Sequence, residues 1–181
     1  MLSDVSIKKF LKSRDIIIDP WSKEMLRAAA VTLHLGETIL IPDSKTVVDV
    51  KKNILPKYRE VKLSDESPFP FKPNMFVIGQ TFEQIGISER IGMILDGRST
   101  FARLGISITQ TAILIDTGQA PMKMALEIKN SGPNTFLLYP GMRFARACFF
   151  LLDPKASFSY DTIGKYSSGN NLKPILKKEV K

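Results

Sequence analysis

The chain has 181 residues, 44% of them hydrophobic, and 26 lysines and arginines against 18 acids give it a net charge of +8. That is enough chain to bury one core and too little to argue for two, so a single domain over 1–181 is expected. The basic balance suits an acidic ligand, the lone Cys148 excludes a disulfide within the chain, and no basic-then-apolar leader or membrane-length apolar run is present, so a cytoplasmic protein with no membrane contact is expected.

Ser3 is placed to cap a short helix whose apolar face is Val5, Ile7, Phe10 and Leu11, ending by Arg14. Ile16 to Ile18, Ala30 to Leu35, Ile39 to Ile41 and Thr46 to Val50 read as short strands, each stopped by Pro, Gly or Asp. From Asn53 to Asn74, prolines and charges read as one long connection without regular structure. Strands are expected again over Met75 to Gln80, Arg90 to Leu95, Ile106 to Thr111, Met122 to Ile128, Phe136 to Tyr139 and Arg143 to Leu151, with Gly118, Gly132-Pro133 and Pro140-Gly141 among the corners. The prediction is a mainly β fold, an antiparallel barrel or sandwich with one N-terminal helix. Neither a GxxxxGK[ST] nor a GxGxxG loop supports a doubly wound sheet. His34 reads as a satisfied or exposed polar position, Trp21 as a packing anchor and Cys148 as a small core residue.

One stretch stands out chemically. Leu95 to Gly105 carries Arg98 and Arg103, the hydroxyls of Ser99 and Thr100, and Gly97, between apolar flanks. Two guanidinium forks and two short donors beside a glycine backbone suit phosphate oxygens, so a polyanionic ligand is expected here. No stripe of basic residues alternates with exposed aromatics, which argues against nucleic acid.

The order Gly79-Gln80-Thr81-Phe82-Glu83, then Gly97 to Gly105, then Thr111-Ala112, Ile115-Asp116-Thr117-Gly118 and Leu126-Glu127 resembles the dCTP deaminase branch of the dUTPase-like superfamily. Met1 to Asp4, Ile18-Asp19-Pro20, Leu33 to Gly36, Tyr139 to Arg143 and Gly164-Lys165-Tyr166 also fall where that family has similar elements, so the likeness runs almost end to end. The resemblance implies a distorted β-barrel, a homotrimer with sites between subunits, and dCTP or dUTP as substrate. It also implies that Arg98, Ser99, Thr100 and Arg103 cradle the triphosphate, with one Mg²⁺ held mainly by phosphate oxygens and water.

The chain has one histidine and one cysteine, far apart and without H-x-E or C-x-x-C spacing, so it does not carry the pattern of a zinc deaminase. Hydrolysis then calls for a carboxylate base lifted toward neutrality by burial. Glu127 is the candidate; strand alternation puts it on the face of Lys123 and Ala125, opposite Met124, Leu126 and Ile128. By resemblance, Glu127 deprotonates the water that attacks C4 of cytosine, Ser99 helps place that water, and Ala125 lies against the substrate. Asp116 sits where the family binds the 3′-hydroxyl and where pyrophosphate-releasing relatives orient their water. Tyr160 and Lys165 match a C-terminal segment, 160–181, that closes over the nucleotide.

The chain departs from the family pattern in four places. The family's Gln-Pro-Ala-Ser-Val-Asp appears as Arg27 to Thr32, losing a hydroxyl and a carboxylate. Ile113-Leu114 replaces Gly-Trp or His-Arg, the turn after Asp116 is one residue longer, and Asn170 stands near Gly169 in place of a glutamine. The leading expectation is deamination of dCTP to dUTP and ammonia. The alternatives are a dUTP diphosphatase or a bifunctional enzyme giving dUMP and pyrophosphate, and a non-catalytic dNTP-binding relative.

Overall fold

The computed structural model describes residues 1–167, 172–176 and 179. Gly169 and Asn170 lie outside the described residues. The order is α1 (Asp4–Ser13), β1 (Ile16–Asp19), β2 (Leu26–Arg27), β3 (Ala30–His34), β4 (Thr38–Pro42), β5 (Tyr58–Lys62), β6 (Phe69–Phe71), β7 (Phe76–Ile87), β8 (Ile91–Gly97), α2 (Ser99–Ala102), β9 (Ile106–Ser107), β10 (Leu114–Ile115), β11 (Gln119–Asn130), β12 (Phe136–Leu138), β13 (Arg143–Leu151) and α3 (Tyr160–Ile163). The expected mainly β, antiparallel architecture with a short N-terminal helix is what the chain adopts.

One sheet runs β5-β4-β7-β11-β9 with β1 on the far part of β7, the second runs β10-β8-β13-β3-β2, and β6 pairs only with β12. Each long strand turns alternate side chains inward, because its period of two matches alternating apolar and polar residues. Val77, Ile85, Leu126 and Ile128 from the first sheet meet Val31, Leu33, Met93, Leu95, Phe144 and Phe149 from the second in one buried cluster. Burial of each such side chain contributes roughly 1.5–3 kcal/mol. After β3 the chain is tied to the first sheet by a backbone bond, Gly36 N–H donating to the Gln80 carbonyl of β7 at 2.8 Å, while Leu35 N–H donates to the Met142 carbonyl at 2.9 Å and prolongs the β3–β13 pairing.

Several expectations need correction. Ser3 occupies the N-cap of α1 but its side chain makes no cap bond, and Val5 is 70% exposed, so Ile7 is the buried anchor of that helix. Thr46 to Val50 is no strand: Asp43 accepts from Lys45 N–H (2.8 Å) and Thr46 Oγ1 (2.6 Å), which curls the chain into a turn. The stretch read as a continuous connection contains β5 and β6. Pro70 is tolerated in β6 because that strand has a single partner, β12, and one side needs no amide donor. The strand expected to stop at Gln80 continues to Ile87, and the one expected over Ile106 to Thr111 is only two residues long. Cys148 lies half-buried on the outer face of β13, between core-facing Ala147 and Phe149. Trp21 is 38% exposed rather than a core anchor.

Candidate active site

Glu127 sits in the middle of β11, directly opposite Ile78 of β7. Its sheet neighbours Met124, Leu126 and Ile128 are buried inward, so the carboxylate points to the outer face of the sheet with Lys123 and Ala125. Register extends that face: Phe76 is opposite Lys129, Leu40 opposite Ile78, and Tyr58 opposite Pro42. Over it lies a cavity of about 510 Å³ whose walls include Asp116, Lys123, Ala125, Glu127, Tyr58, Ile78 and Tyr160.

The cavity's apolar walls set the chemistry of the acid. Burial pushes the Glu127 carboxyl above its ordinary value, against the pull of the backbone amides of Glu127 and Gln110. The strand position is braced by Gln110, whose Nε2 donates to the Glu127 backbone carbonyl at 3.2 Å. A carboxyl lifted by desolvation is suited to accept a proton from water near neutrality.

Asp116 follows β10 at the mouth of the same cavity and is exposed. Between Asp116 and Glu127 the register of β11 on β7 shifts twice: from Gln119 (opposite Ile87) to Met122 (opposite Ile85) β11 spends one more residue than its partner, and from Lys123 (opposite Gln84) to Ala125 (opposite Gln80) β7 spends two more. Thr117 Oγ1 donates to the Ser88 carbonyl at 2.8 Å and fixes the turn.

The C-terminal segment crosses this turn. Tyr160 N–H donates to the Thr117 carbonyl (2.8 Å), Asp161 N–H to that of Gly118 (3.1 Å), and Ala120 N–H to the Asp161 carboxylate (3.0 Å). Gly118 has φ of +69°, and a Cβ there would lie 2.4 Å from Ser159 Cβ, so only glycine allows this approach. Tyr166, Leu172 and Pro174 complete the cavity wall, and burial pushes the Tyr160 phenol up.

The basic turn lies elsewhere. At the end of β8, one helical turn, α2, is pinned by Phe101, which is buried against Phe144 (ring centroids 4.9 Å) and edge-on to Phe136 (5.6 Å). Ser99, Thr100 and Arg103 are exposed there, and none of the three makes a side-chain hydrogen bond to a described residue. Arg98 folds back, with Nη1 donating to the Arg143 carbonyl at 2.5 Å and its guanidinium 5.9 Å from the Phe101 ring. None of these four lines the cavity of Glu127. Lys165 does not line it either; its ammonium pairs with Glu179.

Of the residues singled out in the sequence, Asp116, Ala125, Glu127 and Tyr160 are therefore brought together, while Arg98, Ser99, Thr100, Arg103 and Lys165 are not. Tyr58 and Tyr166 went unremarked as cavity residues. Tyr58 sits in a proline-rich stretch that hid its strand, and Tyr166 has no pattern beyond its place after Gly164-Lys165. Leu114, one of the two family-atypical residues, is part of the cavity wall. His34 is satisfied as expected, with Nδ1 2.5 Å from the buried Glu83 carboxylate. No helix among the described residues is long and apolar enough to cross a membrane.

An antiparallel two-sheet protein with a partly buried acid on an outer strand face is the class these features define. Residues 1–152 match the model of the dCTP deaminase-like family, and the chain belongs to that family. It is 33% identical over 168 residues to a dCTP deaminase, dUMP-forming, of Coprothermobacter proteolyticus, covering 92% of this chain and 90% of that one. It is 31% identical over 165 residues to a protein of the same name from Dictyoglomus turgidum, covering 88% and 84%. In fold it is similar to the 2′-deoxycytidine 5′-triphosphate deaminase of Agrobacterium tumefaciens, with a TM-score of 0.61 at 19% identity, covering 83% of this chain and 48% of that chain.

Proposed function

We propose that the protein is a hydrolase that converts dCTP to dUMP, releasing ammonia and pyrophosphate, by way of dUTP. The observation that carries this reading is that Glu127 and Asp116 line one cavity, the first with a carboxyl raised by burial and the second exposed at its mouth. The relatives named dUMP-forming, matched over about nine-tenths of their length in the most similar cases, support the full conversion over the dUTP-forming half of it.

In the first step the Glu127 carboxylate takes a proton from water as the oxygen attacks C4 of the cytosine ring. It then returns protons to the ring nitrogen and to the amino group, which leaves as ammonia, giving dUTP. Asp116 then orients a second water for attack on the phosphate chain, giving dUMP and pyrophosphate. Ala125 lies against the nucleoside, and Tyr160 with the segment around it covers the cavity and excludes bulk water.

Among the described residues the cavity's cations are Lys123 and Lys173, and no arginine fork lines it. The side chains of Ser99, Thr100 and Arg103 are exposed without partners among the described residues, which supports a homotrimer in which one subunit's basic turn faces a neighbour's cavity. No group of three or more His, Cys, Asp or Glu among the described residues could hold a metal, while Asp116 is one exposed carboxylate. That donor set fits a Mg²⁺ carried in by the triphosphate, where it would offset phosphate charge. Lys165 joins the phosphates only if it exchanges Glu179 for them.

The test is a product assay on dCTP with Mg²⁺. The native chain is expected to release both ammonia and pyrophosphate, Glu127→Gln neither, and Asp116→Asn ammonia with little pyrophosphate. Ammonia without pyrophosphate from the native chain would leave the dUTP-forming reading. Tight dCTP binding with neither product would leave the non-catalytic one.

A further inference from the structure

We infer, resting on the reading of Glu127 as the base of the proposed deamination, that Gln110 is its positioning residue and holds the acid from behind in the orientation that takes a proton from water. Gln110 does not line the cavity, so it reaches the reaction through the strand that carries Glu127.

The arrangement begins with an interrupted ladder. The register of β9 on β11 is Ser107 opposite Lys129 and Ile106 opposite Asn130, so on that edge strand pairing ends two residues short of Glu127. β7 holds the other edge, with Ile78 opposite the acid. Past Ser107 the chain bends, kept close by the buried Ile108 and Thr109. Gln110 then turns its carboxamide back to the open edge: Nε2 donates to the Glu127 carbonyl at 3.2 Å and to Ser107 Oγ at 2.9 Å. Both hydrogens of the carboxamide are thereby used, and because one acceptor sits on β9 itself, the direction of the other bond is fixed. The side chain stands in for the strand amide that the short β9 does not supply.

The backbone of the same residue makes a second contact. Burial dominates the Glu127 carboxyl and raises it, while the Gln110 amide faces the carboxyl and favours its charged form. The titratable groups that share the cavity with the acid, among the described residues, are Lys123 on its own strand, Tyr58 of β5, Asp116 after β10, Tyr160 of α3, and Tyr166 and Lys173 of the C-terminal segment. The state of the carboxyl is set by burial and by the backbone amides of Glu127 and Gln110 rather than by these groups. One residue therefore grips both the carbonyl and the carboxyl of the acid. Such a grip matters because a misplacement of about 1 Å is worth about 10²-fold in rate. Gln110 is exposed, so its replacement loosens the acid without emptying core space.

The test compares the native chain, Gln110→Met, Ser107→Ala and the double variant in ammonia release from dCTP across pH. Beside it runs an NMR titration of ¹³C-labelled glutamate carboxyls without substrate, the Glu127 signal being the one missing from Glu127→Gln. Gln110→Met, similar in length but without donors, is expected to lower kcat roughly 3- to 10-fold at neutral pH, with KM and melting temperature unchanged. Freed from its amide, the Glu127 carboxyl should titrate higher, so the acid limb of kcat and the NMR midpoint both move to higher pH. Ser107→Ala should do the same in smaller measure, and the double variant should be no worse than Gln110→Met, because Ser107 acts through Gln110. A raised KM with unchanged kcat would make Gln110 a substrate contact, and a lower melting temperature with limb and midpoint unmoved would make it structural; either overturns the inference, as does no change in kcat and midpoint. The NMR arm needs no turnover. If the native chain releases no ammonia, the proposed reaction falls, while a Glu127 midpoint that rises in Gln110→Met upholds the grip of Gln110 on the acid and one that stays put overturns it.

Discussion

The acidic cavity and the basic turn are built in opposite ways. The cavity is enclosed by elements far apart in sequence, from Tyr58 to Pro174, and its acid is desolvated by neighbours the chain itself supplies. The turn is anchored from beneath by Phe101 and presents Ser99, Thr100 and Arg103 outward with nothing in the chain to receive them. The difference teaches that the groups holding a reactive acid must be dry, whereas groups that grip phosphates must stay open until ligand or neighbour arrives. On the proposed function, one chain carries the acidic half of a site complete and the phosphate-binding half open.

The sharpest way to break this contrast is at the acid. Glu127→Gln should lower ammonia release by roughly 10²–10⁴-fold, the usual range for a general base, with dCTP affinity nearly unchanged. A loss of binding in parallel with turnover would make the residue structural. Next comes the anchor of the turn. Phe101→Ala empties a buried ring site and should cost ~3–5 kcal/mol, a fall in melting temperature of roughly 6–20 °C by calorimetry. Arg103→Ala should leave melting unchanged, since the side chain is exposed, while weakening dCTP binding by roughly 10–150-fold, as loss of a charged hydrogen bond implies. Gly118→Ala forces a left-handed alanine against Ser159 and should cost ~1–2 kcal/mol, read as easier proteolysis of the C-terminal segment.

The smallest effect sharpens the contrast through pH. Burial raises the Glu127 carboxyl above its ordinary 4.5, so the folded chain holds a proton that the unfolded chain has released. Stability from this group is therefore full below pH 4.5 and falls as pH rises through the raised folded value. Urea unfolding should show Glu127→Gln more stable than the native chain at neutral pH, the gap closing below the ordinary carboxyl range. Equal stability at both ends would mean the acid is not desolvated.

Much of this was legible in the sequence where local pattern and tertiary role agree. The alternation of Met124, Leu126 and Ile128 around Glu127 predicts which way the acid points, because a strand's period of two is set by its own backbone. The Arg98 to Arg103 stretch reads as a candidate anion-binding turn from its side-chain types, and the structure leaves Ser99, Thr100 and Arg103 exposed. What was not legible depended on pairing between distant segments. Tyr58 reaches the cavity only because β5 pairs with β4, and Pro70 sits in a strand only because that strand has one partner. Trp21 is less buried than a large aromatic predicts on average, because it sits at the rim of a second cavity beside Phe82 and Pro140.

The central claim is that a working site joins one subunit's Glu127 cavity to another's Arg103 turn, and mixing inactive variants tests it most directly. Glu127→Gln and Arg103→Ala chains, unfolded together in equal amounts and refolded, should regain activity at about a quarter of the sites, because random assembly pairs an intact acid with an intact turn that often. A mixture no more active than the average of the two variants alone would contradict the account, since each chain would then need both halves for itself.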